Sequence, residues 1–487
     1  MKTLLRRTKG SALDVFVDSW VPNSILTPLS SHAKRFRRLC FSGRSFHDIQ
    51  RFFKVNPGPL PLLHTLEIST DGRVGLRSGL RRFDVIIPPS TLLLNNMPNL
   101  KAFSFRWASN WLPSFGCFTF PNLTSFRMLV ELGKSFSASQ ILDFLEASPM
   151  LRTVHMEIFA DISLEGVPQD RLVVLRSVDN FDFTMIDGGH IYEFIAHISC
   201  PSASSASLTA TKKPNHVRSE EIFPSLDLWN TIVHQYTRRP VEEVTFQITH
   251  TPDIMCKLAF NSSDGSVLKL CFEVSGYWGE DGDEDDEDDD EGGDGDEDED
   301  EDEDGDEDEE EDEDDSEDEY GDEDEFESKT KIYNKVFAQA TRTIQDHPQV
   351  TDVKRLRTCH NFPAVHWHTV NKLCQLFESM GPLDELTLHC CHLPAYFDSI
   401  FKDGVKKKVV FPPIKQLTIS HGECTYGMYI QIAELAKLRH GLGIPFERVI
   451  IYDESERLKG VEKRLRPWVG SVEYYRTGWT ERYKSII

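Results

Sequence analysis

Apolar residues recur along the chain in a six-residue frame whose first, fourth and sixth positions are apolar. The last two of these positions are two residues apart, so they share one face of a β-strand, while the first lies in the turn leading into it. The frame often follows a proline or a polar turn. It occurs ten times, at Phe36-Leu39-Phe41, Leu63-Leu66-Ile68, Leu100-Phe103-Phe105, Leu123-Phe126-Met128, Leu151-Val154-Met156, Val241-Val244-Phe246, Leu383-Leu386-Leu388, Ile414-Leu417-Ile419, Phe446-Val449-Ile451 and Val469-Val472-Tyr474.

The frame has the form of the leucine-rich repeat, L-x-x-L-x-L, with many substitutions. Successive middle residues are 27, 37, 23 and 28 positions apart in the first part of the chain and 31, 32 and 23 apart in the last part. The ninth repeat position, where Asn or Cys normally bonds the turn backbone, fits only at Cys391. We therefore predict an α/β fold, an irregular leucine-rich-repeat solenoid with a curved parallel sheet and helices on its outer side.

Segments between the frames have the periodicity of helices that return the chain to the next strand. Residues 137–150 contain an apolar stripe, with a capping serine at Ser137 or Ser139, and Pro149 ends the helix. Residues 223–239, 365–380 and 428–440 follow the same pattern, and a helix is expected after the glycine turn at 187–190. Two weaker strands are predicted, at Leu268–Val274 and at Val353-Leu356-Thr358.

An acidic run between Glu280 and Glu327 holds 39 of the 80 acidic residues of the chain. Without it, 41 acidic residues face 53 Lys plus Arg, so the net charge of −27 hides a remainder of about +12. Such a composition cannot bury enough apolar surface to offset chain entropy. We predict a disordered insertion at 280–327 between two solenoid parts, 1–279 and 328–487.

Three interpretations of the acidic run stay open. It is a solubilising insertion, a segment that binds basic proteins such as histones or mimics nucleic acid, or a segment that folds back on the basic remainder and regulates access to it. Ser316 has the acidic downstream residues that acidophilic kinases recognise, so it is a candidate phosphorylation site.

Cysteine usage and hydropathy indicate an intracellular protein, cytoplasmic or nuclear. The ten cysteines are scattered, mostly in apolar stretches, without a C-x-x-C pair, and we expect buried free thiols. No apolar run approaches the roughly 20 residues that span a bilayer, and the basic start has no apolar core behind it.

No signature of catalysis or cofactor binding is found, so neither an enzyme nor a cofactor is expected. The chain has no phosphate-binding glycine loop, nucleophile elbow or zinc-protease helix. Histidines and cysteines are dense between 360 and 392, but their spacing fits no standard zinc module, and we interpret them as packed thiols and surface histidines. Basic clusters at 34–38 and 406–408 are interpreted as solvated strand faces, so nucleic acid is not the expected partner.

Several segments resemble fungal F-box/leucine-rich-repeat-like proteins. They are the opening residues 4–15 (LLRRTKGSALDV) and residues 29–39 (LSSHAKRFRRL), followed by 59–66 (PLPLLHTL), 120–124 (FPNLT) and 142–151 (LDFLEASPML). The resemblance covers most of the chain outside the acidic run. It implies a repeat region that selects substrates for a cullin-type ubiquitin ligase, and an F-box ahead of Phe36 that docks on a Skp-type adaptor.

The sequence therefore predicts a non-catalytic protein-binding scaffold. An F-box motif is not found ahead of Phe36, so adaptor binding is expected only from a form that carries an F-box upstream. The alternative is a binder of histones or other basic proteins, in which the acidic run is the binding element and the solenoid its platform.

Overall fold

The structure of the chain is a computed structural model, and it describes the residues that follow. Placed residues are 8, 10–18, 29, 31–42, 52, 59–69, 97–107, 120–130, 136–159, 162–186, 191–212, 240–249, 254–274, 353–361, 379–390, 413–420, 426–452 and 459–475, with single residues of helical segments at 228–236, 330–345 and 372–377. The acidic run, with Ser316, lies outside the described residues.

Twenty strands are present in the described residues. They are β1 Leu13–Asp18, β2 Phe36–Ser42, β3 Thr65–Ser69, β4 Ala102–Trp107, β5 Ser125–Val130, β6 Phe136–Ser137, β7 Thr153–Ile158, β8 Ile162–Ser163, β9 Val173–Val174, β10 Asn180–Ile186, β11 Ile198–Ser199, β12 Ser205–Lys212, β13 Val241–Thr249, β14 Ile254–Ser262, β15 Val267–Val274, β16 Arg355–Asn361, β17 Leu383–Cys390, β18 Ile414–Ser420, β19 Phe446–Tyr452 and β20 Val469–Tyr475. Four α-helices are described from end to end, namely α1 Ala138–Glu146, α2 Ile191–Ala196, α3 Tyr426–Gly441 and α4 Lys459–Leu465, and a 3₁₀ turn spans Ala33–Arg35.

Sixteen strands form one large, open and mostly parallel sheet, which confirms the predicted α/β class. Their order is β1-β2-β3-β4-β5-β7-β10-β12-β15-β14-β13-β16-β17-β18-β19-β20, while β6 pairs with β8 and β9 with β11 in two small sheets. The expectation of a wholly parallel sheet was wrong at β14, which is antiparallel to both β13 and β15. Only four residues separate β13 from β14 and β14 from β15, which suffices because antiparallel strands need only a short turn whereas parallel strands need a crossover.

All ten predicted frames lie in the large sheet, and their apolar residues build the core. In the first frame Phe36, Leu39 and Phe41 are at most 1% exposed. The middle residues of neighbouring frames pair directly, as Leu66 does with Phe103 and Leu417 with Val449. The two weaker strands are also present, as β15 and β16. The frame Val178-Phe181-Phe183, which was not predicted, has the same pattern in β10 and is equally buried.

Helices cover the face of the sheet to which the frame residues point. The Phe144 ring of α1 lies 4.5 Å from that of Phe126 on β5, and Phe194 of α2 lies 5.5 Å from Phe183 on β10. Helix α1 matches the predicted segment; Ser137 stands at its N-cap position without a side-chain capping bond. Predicted helices are also found at α3, at α2 and in the described residues of 228–236 and 372–377, and the described residues of 330–345 are helical too. In the described residues, most strands alternate between buried and polar residues, as sheets packed on one face do.

A repeated turn precedes each of several strands and ties neighbouring units together. The amides of Leu63, Leu100 and Leu123 each donate to the carbonyl three residues earlier. Asn99 Nδ2 then donates to the Pro61 carbonyl of the preceding unit at 2.7 Å, and Asn122 Nδ2 to that of Pro98 at 2.8 Å. This short amide ladder lies ahead of the strand, not at the ninth repeat position, because the proline turn leaves a carbonyl directed at the next unit.

Candidate functional site: the open face of the sheet

The side chains that alternate with the frame residues form a second face, which we call the open face. They are in register from strand to strand, and the central row of this face reads Cys40, Glu67, Ser104, Arg127, His155, Asp182, Ser207, Lys269, Ala259, Thr245, Arg357, Thr387, Thr418, Ile450 and Glu473. Most are half-buried or exposed. Because in-register partners on adjacent strands are about 5 Å apart, opposite charges can pair across the sheet.

The first charged cluster of the open face lies on β1, β2 and β3. The Arg38 guanidinium donates to Glu67 Oε1 through Nη2 at 2.6 Å and through Nε at 3.1 Å. It also lies 5.1 Å from the ring centroid of Phe16, which is 62% exposed. Cation–π contact and ion pairing together hold Arg38 flat over the sheet edge.

The second cluster spans β5, β7 and β10 and centres on His155. Its Nδ1 lies 2.7 Å from Asp182 Oδ2 and its Nε2 lies 2.5 Å from Glu157 Oε1. Arg127 Nη2 approaches the same Glu157 oxygen at 3.7 Å. The two ring nitrogens lie on opposite sides of the imidazole, so His155 reaches a carboxylate on each side. The cluster therefore joins Arg127, Glu157, His155 and Asp182 over three strands.

The third cluster lies on β13, β14 and β16 around Glu243, whose side chain is 9% exposed. Arg355 Nε and Arg357 Nε each lie 3.5 Å from one of its carboxylate oxygens. Asn261 Nδ2 donates to Glu243 Oε1 at 3.1 Å. A largely buried carboxylate needs such partners, because removing its charge from water without them would cost on the order of several kcal/mol.

Two lysines and a thiol lie beside this cluster on β14 and β15. Lys257 is directly opposite Cys271, and Lys269 is directly opposite Ala259. Burial raises the pKa of the Cys271 thiol to about 11, while the nearby Lys257 ammonium and a hydrogen bond with Thr209 act in the opposite direction. Cys271 thus stays protonated near neutral pH and is a poor nucleophile.

The last cluster lies on β19 and β20 at the other end of the sheet. Arg448 Nη2 donates to Glu473 Oε2 at 2.5 Å, and the Tyr475 hydroxyl donates to the same oxygen at 2.8 Å. These two hydrogen bonds lower the pKa of Glu473, the bond from Arg448 most. The Tyr452 and Tyr475 rings stack with centroids 5.1 Å apart. This end of the open face therefore presents an aromatic pair beside a fixed carboxylate.

Cavities are of minor importance in the described residues. One of about 280 Å³ lies in the turns that precede the strands, and Asn99, Lys101, Asn122, Thr124 and Met150 line it. Another, of about 10 Å³, lies between α2 and the central strands and has room for about one water molecule. An extended face is thus a better candidate site than a pocket.

The structure places several residues that the sequence singled out. In the basic cluster at 34–38, Arg35 donates to Thr8 and Ser11, Arg37 pairs with Asp14 at 2.6 Å and Arg38 pairs with Glu67. Its arginines therefore fix local structure as well as facing solvent. Residues 406–408, 366–368, 391 and 392 and the side chains of His360 and Cys390 lie outside the described residues. Cys40, Cys200, Cys256, Cys271 and Cys359 are free thiols, as expected, but only Cys200 and Cys256 are buried. The other three are half-buried because they lie on the open face.

Sequence reasoning missed the charged clusters of the open face. His155 and Asp182 are 27 residues apart and carry no local motif. The signal that could have found them is the frame itself, because aligning successive frames also aligns the polar residues between the apolar ones.

Comparison with models of known protein families finds no match to this sequence, and comparison with curated proteins finds no significant relative. Within the described residues no helix is both long and apolar enough to cross a bilayer. The same residues contain no group of three or more His, Cys, Asp or Glu side chains arranged to hold a metal ion.

Proposed function

We propose that this protein is a non-catalytic binding scaffold that recognises a protein partner with the open face of its sheet. The observation that carries the proposal is the continuous, in-register array of side chains on that face. Sixteen strands spaced about 4.8 Å apart extend for about 70 Å, enough for the roughly 800 Å² that each partner buries in a typical protein complex.

The chemistry of the face supports recognition of a protein. Its arginines are held by carboxylates at Glu67, Glu157, Glu243 and Glu473, which leaves alternating donors and acceptors in fixed positions. Fixed, complementary charges favour specificity, and the Tyr452–Tyr475 pair offers the aromatic contact area typical of interface hot spots. A protonated Cys271 and carboxylates already paired argue against nucleophilic or acid–base chemistry there.

The finer proposal is an irregular leucine-rich-repeat solenoid that selects substrates for a cullin-type ubiquitin ligase. The repeated frame, the proline turns and the resemblance to fungal F-box/leucine-rich-repeat-like proteins support it. A pull-down with a Skp-type adaptor tests the ligase role, once with this chain and once with a form that is extended upstream. If the extended form also fails to retain a Skp-type adaptor, the ligase role is excluded while the scaffold role stands.

Site-specific photo-cross-linking from Ser104 in cells identifies a partner. The affinity of that purified partner for variants of the open face then tests whether this face is the binding surface. Ser104→Arg and Thr184→Arg introduce bulk and charge into the open face, so each is expected to weaken binding at least about tenfold. Gln169→Arg and Ser202→Arg are matched controls, because both are solvent-accessible turn positions away from the open face and make the same charge change. Equal effects from the two pairs would refute the proposed surface.

A further inference from the structure

Lys257 and Lys269 differ from the arginines of the open face in their pairing. Arg38, Arg127, Arg355, Arg357 and Arg448 each lie within 3.7 Å of a carboxylate oxygen. Within the part of the chain that the structure describes, neither lysine forms an ion pair or a hydrogen bond through its side chain. The centre of the open face therefore has two lysine ammonium groups that no described carboxylate holds in an ion pair.

Strand register brings the two lysines together. Lys257 on β14 is opposite Cys271 and Lys269 on β15 is opposite Ala259, so the lysines are diagonal neighbours. Diagonal residues on antiparallel strands are about 7–8 Å apart, which lets two ammonium groups contact neighbouring carboxylates of one extended segment. The small side chain of Ala259 leaves space between Lys269 and β13.

Neutral hydroxyl groups flank the lysine pair. Ser207 pairs with Lys269 across β12 and β15, and Thr245 pairs with Ala259 across β13 and β14. Hydroxyls donate hydrogen bonds to carboxylates without adding charge. The nearest anions on these strands are Glu273, which is the other diagonal neighbour of Lys257, and Glu243, which is already held by two arginines. Glu273 would repel a ligand that extends past Cys271, which limits the site to a few acidic residues.

We propose that Lys257 and Lys269 form a docking site for a short acidic peptide segment of the partner protein. The inference rests on the proposed function and names the chemistry that the centre of the open face selects. Nucleic acid is a poorer fit, because the open-face residues of β12, β14 and β15 include no aromatic side chain on which a base could stack.

The acidic run at 280–327 of the same chain is a competitor, since its carboxylates are tethered to the protein at high effective concentration. Binding is therefore measured with the full chain and with a variant that lacks residues 280–327. The probe is a fluorescein-labelled peptide of about ten alternating Asp and Glu residues, followed by anisotropy at low ionic strength, where the Debye length is longest.

Lys257→Glu/Lys269→Glu is expected to weaken peptide binding about tenfold in the chain that lacks the acidic run, because two attractive pairs become repulsive. Lys101→Glu/Lys463→Glu, at exposed lysines elsewhere, makes the same charge change and is expected to alter affinity less than about twofold. Lys257→Gln/Lys269→Gln, which tests the site without repulsion, is expected to weaken binding about threefold. Circular dichroism and thermal melting establish that each variant is folded.

The docking site is refuted if the lysine variants and the matched controls weaken binding equally in both chains. It is also refuted if a single-stranded oligonucleotide of equal charge binds more tightly than the peptide and depends on the same lysines. If Ser104→Arg and Thr184→Arg abolish partner binding while the lysine variants have no effect on peptide binding, this proposal fails and the proposed function stands.

Discussion

The imidazole Nδ1 of His155 lies 2.7 Å from Oδ2 of Asp182 on the neighbouring strand. Since His155 also contacts Glu157 through Nε2, the ring joins two carboxylates that lie on different strands. Pairing of this kind fixes which donors and acceptors the open face offers to a partner. It is therefore a more informative target for mutation than any single exposed charge.

Replacing His155 with Asn is expected to destabilise the protein by about 0.5–1 kcal/mol, the range of a partly exposed polar contact, because Glu157 and Asp182 lose the ring nitrogens that they contact. The double variant His155→Asn/Asp182→Asn should lose less than the sum of the single changes. Urea denaturation of the four proteins measures this coupling, and strictly additive effects would show that the contact has no energetic weight.

Replacing Phe126 with Ala is expected to destabilise the protein by about 3–5 kcal/mol. The ring is 1% exposed and packs against Phe144 of α1 and Phe103 of β4, so its removal leaves a cavity under the sheet. Phe16→Ala is the matched control, because that ring is 62% exposed, and it should cost less than about 1 kcal/mol. Similar losses for both would contradict the assignment of the two faces.

Replacing Gly470 with Ala is expected to separate β20 from β19. A Cβ built at Gly470 would lie 2.6 Å from the Glu447 carbonyl oxygen, closer than any normal contact with backbone. We expect a loss of about 1–3 kcal/mol, typical of overpacking. Gly460→Ala serves as the control, because nothing lies within 4 Å of its added Cβ and alanine favours the helix, so stability should rise by up to about 1 kcal/mol.

Thiol chemistry should follow burial. Cys200 and Cys256 are buried, which raises the pKa of each thiol, so labelling with iodoacetamide should need unfolding. Cys271 has a folded-state pKa of about 11 against an ordinary value of 9.0, so its labelling rate should climb until about pH 11. Rapid labelling of all described thiols at neutral pH in the folded protein would contradict this environment.

The same shift at Cys271 gives stability a pH dependence whose sign follows from proton counting. Between pH 9 and pH 11 the unfolded chain has lost the thiol proton and the folded chain has kept it, so the folded state binds more protons. Stability is therefore lost as the pH rises through this window and is fully present below it. The free energy of unfolding of wild type and of Cys271→Ser, measured by urea denaturation over this pH range, isolates the contribution of this thiol. If both proteins lose stability equally as the pH rises, the pH dependence does not come from Cys271.

Apolar spacing was sufficient to predict the ten strands that carry the recognised frame, but it missed β10, although Val178, Phe181 and Phe183 are just as large and buried. Leu66 and Phe103 could be assigned to the core because burial of one strand face forces alternation at a period of two. Strand β12 was harder to find, since Ala206 and Ala210 fill core positions with small side chains. The antiparallel β14 could not be predicted from its pattern, because alternation is the same in either direction. The lysine pair of Lys257 and Lys269 depends on that direction, and so it was inaccessible too.

The reversal at β14 has a consequence for how the sheet assembles. Strands β13, β14 and β15 follow one another with only four residues between each pair, whereas consecutive parallel neighbours elsewhere in the sheet are joined by returns of 16 to 32 residues. Short-range contacts form fastest, because less chain entropy is lost when a small loop closes. The meander can therefore act as a nucleus, on which β12 adds at one side and β16 at the other, so that both arms of the sheet grow outward from its middle.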